Sequence, residues 1–113
     1  MSTLTTHVLD TSLGRPAEGV EITLERRESG RWINVGGGRT DADGRCRGLL
    51  PAGVALQKAS YRLGFDTGAY FGGRGTACFY PYVSVVFEVR DESQHHHVPL
   101  LLSPFGYSTY RGS

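Results

Sequence analysis

Three stretches of the chain alternate apolar and polar residues with a period of two. They are Val20 to Glu25, with Val20, Ile22 and Leu24 on one side; Gln57 to Phe65, with Ala59, Tyr61, Leu63 and Phe65; and Tyr82 to Arg90, with Val83, Val85, Phe87 and Val89. Successive side chains of a β-strand point to opposite faces, so this period describes strands with one face in a core and the other in water. A chain that repeats the pattern is committed to β-sheet, and helix has little room in it. The other elements must fit between its turn formers, sixteen glycines and five prolines.

Thr3 to Leu9 reads as a first strand, followed by a loop from Asp10 to Gly19 that Gly14 and Pro16 keep irregular. After the strand from Val20 to Glu28, Gly30 turns the chain into another from Arg31 to Val35. The triplet Gly36 to Gly38 then reads as a flexible loop ahead of a hairpin turn at Asp41, Ala42, Asp43 and Gly44. Asp66 to Gly72 predicts one short helix, with an acidic residue at its start and the pair Tyr70 and Phe71 within it. Tyr82 to Arg90 and His95 to Ser103 read as a hairpin joined by the polar turn Asp91 to Gln94. The tail from Pro104 to Ser113 carries Phe105, Tyr107 and Tyr110 with few charges, unlike a frayed terminus. Seven or eight short strands in 113 residues predict an all-β, two-sheet β-sandwich with Greek-key connections and one short helix. At 12.3 kDa, 39% hydrophobic and 20% charged, the chain has the makings of one core, and residues 1–113 are expected to form a single domain without repeat or linker.

Twelve basic residues against 11 acidic ones leave a net charge of +1, too little excess cation for nucleic acid or an anionic membrane. No window approaches the roughly 20 apolar residues of a spanning helix. Met1 to Asp10 lacks a basic segment leading into an apolar one, so a soluble, cytoplasmic protein is expected, with Cys46 and Cys78 as reduced thiols. Asp41 to Gly44 resembles the start of a calcium loop, but the twelfth position, where a carboxylate must stand, is Ala52. The glycine triplet has no Gly-Lys-Ser/Thr beside it and so makes no phosphate cradle.

The chemistry-bearing residues are histidines. On a strand His95 and His97 share a face while His96 points away, and His7 joins them if the first and last strands meet. Two readings of these histidines compete. His7, His95 and His97 are chemically sound zinc ligands, but no cysteine or acidic cluster accompanies them. As solvent-facing edge residues they would only blunt strand pairing. Nucleophilic catalysis lacks a Gly-x-Ser-x-Gly elbow. A water-using site remains, in which histidine takes a proton from water and arginine holds a developing oxyanion without a metal.

The run His7, Val8, Leu9, Asp10 with Thr11 to Pro16, the stretch Thr40 to Arg45, and the run His97, Val98, Pro99 through Ser103 and Pro104 resemble three motifs of the transthyretin-related family. The closing Tyr110, Arg111, Gly112 and Ser113 are similar to its hydrolytic branch, the 5-hydroxyisourate hydrolases, rather than to hormone-carrying transthyretins. The resemblance implies a transthyretin-like sandwich that opens the ring of 5-hydroxyisourate, giving 2-oxo-4-hydroxy-4-carboxy-5-ureidoimidazoline in urate breakdown, with no metal and no organic cofactor. It implies His7, Arg45 and His97 as catalytic residues. It further implies that His7, Arg45, Tyr110 and Ser113 bind substrate, within a homotetramer built as a dimer of dimers. Leu100, Leu101 and Leu102, with Phe105, Tyr107 and Tyr110, are more apolar surface than one small sandwich needs, which agrees with subunit contact. The alternative is a non-enzymatic small-ligand carrier of the same fold. Two positions depart from the family pattern: His96 stands where its His-Tyr-His has tyrosine, and Tyr82 where its Phe-Tyr/Phe-Pro-Glu has glutamate.

Overall fold

The computed structural model describes residues 3–113. Among these residues eight strands and one helix follow in chain order. They are β1 (Leu4–Asp10), β2 (Arg15–Pro16), β3 (Glu21–Glu28), β4 (Arg31–Arg39), β5 (Ala59–Phe65), α1 (Thr67–Gly72), β6 (Val83–Val89), β7 (His96–Ser103) and β8 (Gly106–Thr109). Two four-stranded sheets result, ordered β2-β1-β7-β8 and β4-β3-β5-β6. The alternating faces do what their period requires. Ile22, Leu24, Tyr61, Leu63, Val83 and Val85 of one sheet are buried in one cluster with Leu4, Val8, Val98, Leu100 and Leu102 of the other. Each such side chain removed from water contributes about 1.5–3 kcal/mol.

The turn between β3 and β4 is Ser29 and Gly30, both at positive φ (50° and 76°), the two-residue geometry whose twist suits antiparallel strands. α1 is capped by Asp66, whose carboxylate accepts from the Ala69 N–H at 3.1 Å. No helix among the described residues is long and apolar enough to cross a membrane.

Three expectations are corrected. The glycine triplet is not a loop: β4 runs through it to Arg39, because the chain at 46–49 lies directly on this part of the strand. A Cβ at Gly36 would run into the Leu49 carbonyl, one at Gly37 would stand 2.5 Å from the Ile22 carbonyl oxygen and one at Gly38 2.7 Å from Cys46 Sγ, so the glycines make room for close neighbours rather than flexibility. The stretches 82–90 and 95–103 form no hairpin. β6 pairs with β5, while β7 pairs with β1 and β8, so the polar turn between them crosses from one sheet to the other. Finally, Leu100 and Leu102 belong to the core (0% and 1% exposed), and the apolar surplus at the surface is Phe105, Tyr107 and Tyr110 with Phe79 and Val86.

The connection that matters most for function is residues 40–58. It leaves β4 at the sheet edge, reaches across to β1, and returns to lay β5 on the far side of β3. The turn at Asp41 to Gly44 therefore joins no two strands of one sheet; it carries the chain between sheets.

Candidate active site

β1 and β7 are parallel neighbours, with Thr5 opposite His97 and His7 opposite Pro99. Leu4, Thr6 and Val8 point into the core alongside His96, Val98 and Leu100. Thr5, His7, His95 and His97 consequently stand on the outer face of this sheet. β7 is an inner strand, so its histidines do not blunt an edge. His96 is buried and its Nδ1–H donates to the Gln94 carbonyl at 3.0 Å.

Arg45 reaches the same face through the turn before it. The Asp41 carboxylate accepts from the backbone N–H groups of Asp43 (2.9 Å) and Arg45 (3.0 Å), and these bonds, the Arg45 one foremost, hold its pKa below the ordinary carboxylate value. Gly44, at φ +76°, packs so closely on β1 that a Cβ would run into the Val8 carbonyl and stand 3.3 Å from His7 Cδ2. The Val8 N–H donates to the Gly44 carbonyl at 2.8 Å, and Arg45 bridges to His7 through the backbone. His7 Nε2–H donates to the Asp43 carbonyl at 2.7 Å. A carbonyl only accepts, so this fixes the proton of neutral His7 on Nε2 and leaves its lone pair on Nδ1.

The tail closes over β7 from the other side. The Gly112 N–H donates to the His97 carbonyl at 2.9 Å, and the Arg111 guanidinium donates to Gln94 Oε1 at 3.1 Å. Gly112 lies flat on the His97 ring, where a Cβ would overlap Cδ2. What results is an open pocket of about 360 Å³ lined by Thr5, Arg45, His95, His97, Tyr110, Gly112 and Ser113.

Of the residues expected from sequence, Arg45, His97, Tyr110 and Ser113 line this pocket together. His7 stands beside it, turned to the Asp43 carbonyl rather than into the cavity. Thr5, His95 and Gly112 also line it and were not assigned there. The period of two from His97 is the signal that leads to His95, whereas Thr5 follows from the register of β1 against β7 and Gly112 from its backbone bridge to His97. Burial most of all, then the charges of Arg45, His95 and His7, holds the His97 pKa below its ordinary value of 6.5. Among the described residues the Arg45 side chain has no hydrogen-bond or ion-pair partner. No group of three or more His, Cys, Asp or Glu side chains among them is set to hold a metal ion. A larger pocket of about 500 Å³ between Leu4 and residues 48–55 is lined without a titratable side chain and offers no such chemistry. Tyr82 lies on the other sheet, its hydroxyl 3.1 Å from Thr23 Oγ1, well apart from these groups.

A two-sheet sandwich with a polar pocket on the outer face of one sheet, walled on one side by the chain's own tail, defines a transthyretin-like protein with the groups of a hydrolytic site. Residues 4–112 match the HIUase/Transthyretin family, and the chain belongs to that family. It is 50% identical to mouse 5-hydroxyisourate hydrolase over 114 residues, covering 99% of this chain and 96% of that one. Among solved structures, the Klebsiella pneumoniae 5-hydroxyisourate hydrolase superposes with a TM-score of 0.85 at 37% identity, over 100% of both chains. Sea bream transthyretin, in complex with thyroxine, superposes with a TM-score of 0.90 at 32% identity, over 96% of this chain and 93% of that one.

Proposed function

We propose that this chain opens the ring of 5-hydroxyisourate by adding water, the hydrolysis for which its mouse and Klebsiella relatives are named. The observation that carries the reading is the single pocket into which an inner-strand histidine, an unpaired arginine and the last residues of the chain all open. His97 serves as general base. Its Nδ1 is bonded to Thr5 Oγ1 at 2.7 Å, while its Nε2 has no protein partner among the described residues. A lowered pKa keeps the ring neutral, and therefore basic, at pH 7. His7, whose Nε2–H is committed to Asp43, holds the Arg45 turn in place and offers only Nδ1 toward the reaction.

As the oxygen of water bonds to the ring carbonyl carbon, its proton passes to His97 Nε2 and the carbonyl oxygen becomes an anion held by Arg45, whose planar guanidinium presents two parallel N–H bonds. The carbonyl then re-forms, the ring C–N bond breaks, and His97 returns the proton to the leaving nitrogen. The product is 2-oxo-4-hydroxy-4-carboxy-5-ureidoimidazoline, and the mechanism calls for no metal and no organic cofactor. Tyr110 covers the substrate ring, and Ser113 supplies its hydroxyl to the polar edge.

The pocket is open, and Tyr110 at its edge and Phe105 in the turn between β7 and β8 are 57% and 72% exposed. We therefore include in the proposal a homotetramer, a dimer of dimers that covers this outer face, built from a single domain over residues 1–113. Light scattering after size exclusion tests it. The unbridged Cys46 and Cys78 fit a reducing compartment and support a cytoplasmic location.

The ultraviolet decay of freshly generated 5-hydroxyisourate tests the activity directly. His97→Ala should lower turnover by roughly 10²–10⁴-fold. The carrier reading, which the likeness to a thyroxine-binding transthyretin keeps in view, predicts ligand binding without any turnover.

A further inference from the structure

One hydroxyl stands between two imidazoles. Thr5 Oγ1 is 2.7 Å from His97 Nδ1 and 3.2 Å from His95 Nε2, and the two rings lie nearly parallel, 6.3 Å between centroids with 16° between planes. His95 Nδ1 in turn bonds to the hydroxyl of exposed Thr3. Thr3, His95, Thr5 and His97 thus form an alternating file of hydroxyls and imidazoles. It runs from solvent to the only His97 nitrogen without a protein partner among the described residues.

A hydroxyl carries one proton and two lone pairs, so Thr5 can donate to at most one of the two rings, and when it donates to one it accepts from the other. Two arrangements place the Thr5 proton within the file. In the first, Thr5 donates to His97 Nδ1, which puts the His97 proton on Nε2 and disables that atom as a base. In the second, His97 Nδ1–H donates to Thr5, Thr5 donates to His95 Nε2, and His95 Nδ1–H donates to Thr3. Only the second leaves a lone pair on His97 Nε2. While Thr5 donates within the file the tautomers of the two histidines are coupled through it, and His97 is then a base when His95 carries its proton on Nδ1.

We propose that Thr5 is a positioning residue that sets the His97 tautomer and, with His95, forms a relay that carries the proton from His97 toward solvent. The inference deepens the hydrolase reading and rests on it. When Nε2 takes the proton of water, the Nδ1 proton of His97 passes to Thr5 Oγ1, and the Thr5 proton passes to His95 Nε2. The positive charge then sits on exposed His95 instead of on half-buried His97. The shift runs back when the leaving nitrogen needs the proton, so protons balance over the cycle. Of the groups around His97, Arg45, His95 and His7 oppose a cation on its ring. The relay relieves that opposition at the moment of proton uptake. His95, placed by sequence only as a metal or edge candidate, thereby acquires a use.

Thr5→Val removes the hydroxyl and keeps the side-chain shape, while Thr5→Ser keeps the hydroxyl. In Thr5→Val kcat should fall roughly ten- to hundredfold with KM within about twofold of wild type, and Thr5→Ser should recover most of the loss. Nitrogen-15 spectra of the imidazoles supply the second readout: His97 should be the Nδ1–H tautomer in wild type and Thr5→Ser, and a mixture in Thr5→Val. A wild-type His97 protonated on Nε2, or a Thr5→Val protein with unchanged kcat and tautomer, would overturn the relay. Because the spectra need no substrate, they judge the coupled tautomers even if wild type failed to turn over 5-hydroxyisourate, which would refute the hydrolase reading instead.

Discussion

Gly112→Ala isolates what the tail does to the reacting ring. The Gly112 backbone lies on His97, with a built Cβ overlapping Cδ2 and standing 3.2 Å from Cγ and 3.3 Å from Pro99 Cγ. Restoring an ordinary carbon contact of about 3.5 Å forces the imidazole and tail apart by roughly an ångström. Pro99 blocks sideways escape, and the ladder bond from Gly112 N–H to the His97 carbonyl resists lifting of the tail. A displacement of that size in a reacting group costs on the order of a hundredfold in rate, so kcat should fall by about that factor. Gly112 lies outside the core cluster, so the melting temperature should move by only a degree or two. The companion variant is Gly72→Ala, at the end of α1, where a Cβ meets nothing within 4 Å and the backbone is not strained. Alanine there should leave activity unchanged and stabilise by up to about 1 kcal/mol. Decay of 5-hydroxyisourate at 25 °C, with thermal melts of both variants, is the assay. Gly112→Ala turning over within threefold of wild type would mean that contact with the tail does not position His97, and the argument would fail.

Arg45→Ala should lower kcat/KM by on the order of a hundredfold or more, with lysine in its place recovering little, because a point charge cannot make the paired N–H contacts of the guanidinium. The same variant removes a cation facing His97, so the imidazole pKa measured by NMR should rise toward 6.5. In wild type that pKa is lower folded than unfolded. The unfolded chain therefore binds the proton more readily, and stability contributed by His97 above about pH 6.5 is lost as pH falls through the folded value. Melts between pH 5 and 7.5 should show this slope for wild type and a shallower one for His97→Gln. Tyr70→Phe removes the 2.7 Å bond from its hydroxyl to Asp10 and should cost about 1–3 kcal/mol by chemical denaturation without touching kcat, since Asp10 is 1% exposed and in the core. Residues added after Ser113 should reduce activity more than the same number added before Met1; equal tolerance would mean the tail only packs.

The strands were legible because period two leaves a trace in composition at each position: Ile22, Leu24, Tyr61, Leu63 and Val85 are all buried as the alternation requires. The Asp66 cap and the Ser29–Gly30 turn were legible for the same local reason. What was not legible depended on segments far apart in sequence. Nothing near Gly36 to Gly38 shows that Leu49 will lie on them, so three glycines read as looseness when they are a groove for backbone. Two alternating runs joined by a short polar turn look like a hairpin whether or not their partners lie in different sheets. The same holds for the site. His97 and Arg45 were named through family likeness, but the role of Thr5 follows only from the parallel register of β1 on β7, which a sequence does not print.

His7 and His97 are each set by a glycine, and that explains how an exposed, loosely walled pocket can hold its groups in register. A side chain on the outer face of a sheet has no core to lock its rotamer, and each freedom retained lowers the fraction of molecules ready to react. Here Gly44 brings backbone against His7 and Gly112 brings backbone against His97, each tied by a hydrogen bond to the strand that bears the ring, at Val8 and His97. Main chain pressed onto an imidazole restricts it more firmly than a mobile side chain would. Stability and catalytic geometry are thereby assigned to different residues: the core cluster between the sheets sets the first, the two clamps on the outer face set the second. Core truncations such as Leu63→Ala should lower the melting temperature with kcat nearly unchanged while folded, and clamp substitutions should do the reverse. A core variant that lost kcat in proportion to its stability would show that the clamps are not independent of the sandwich beneath them.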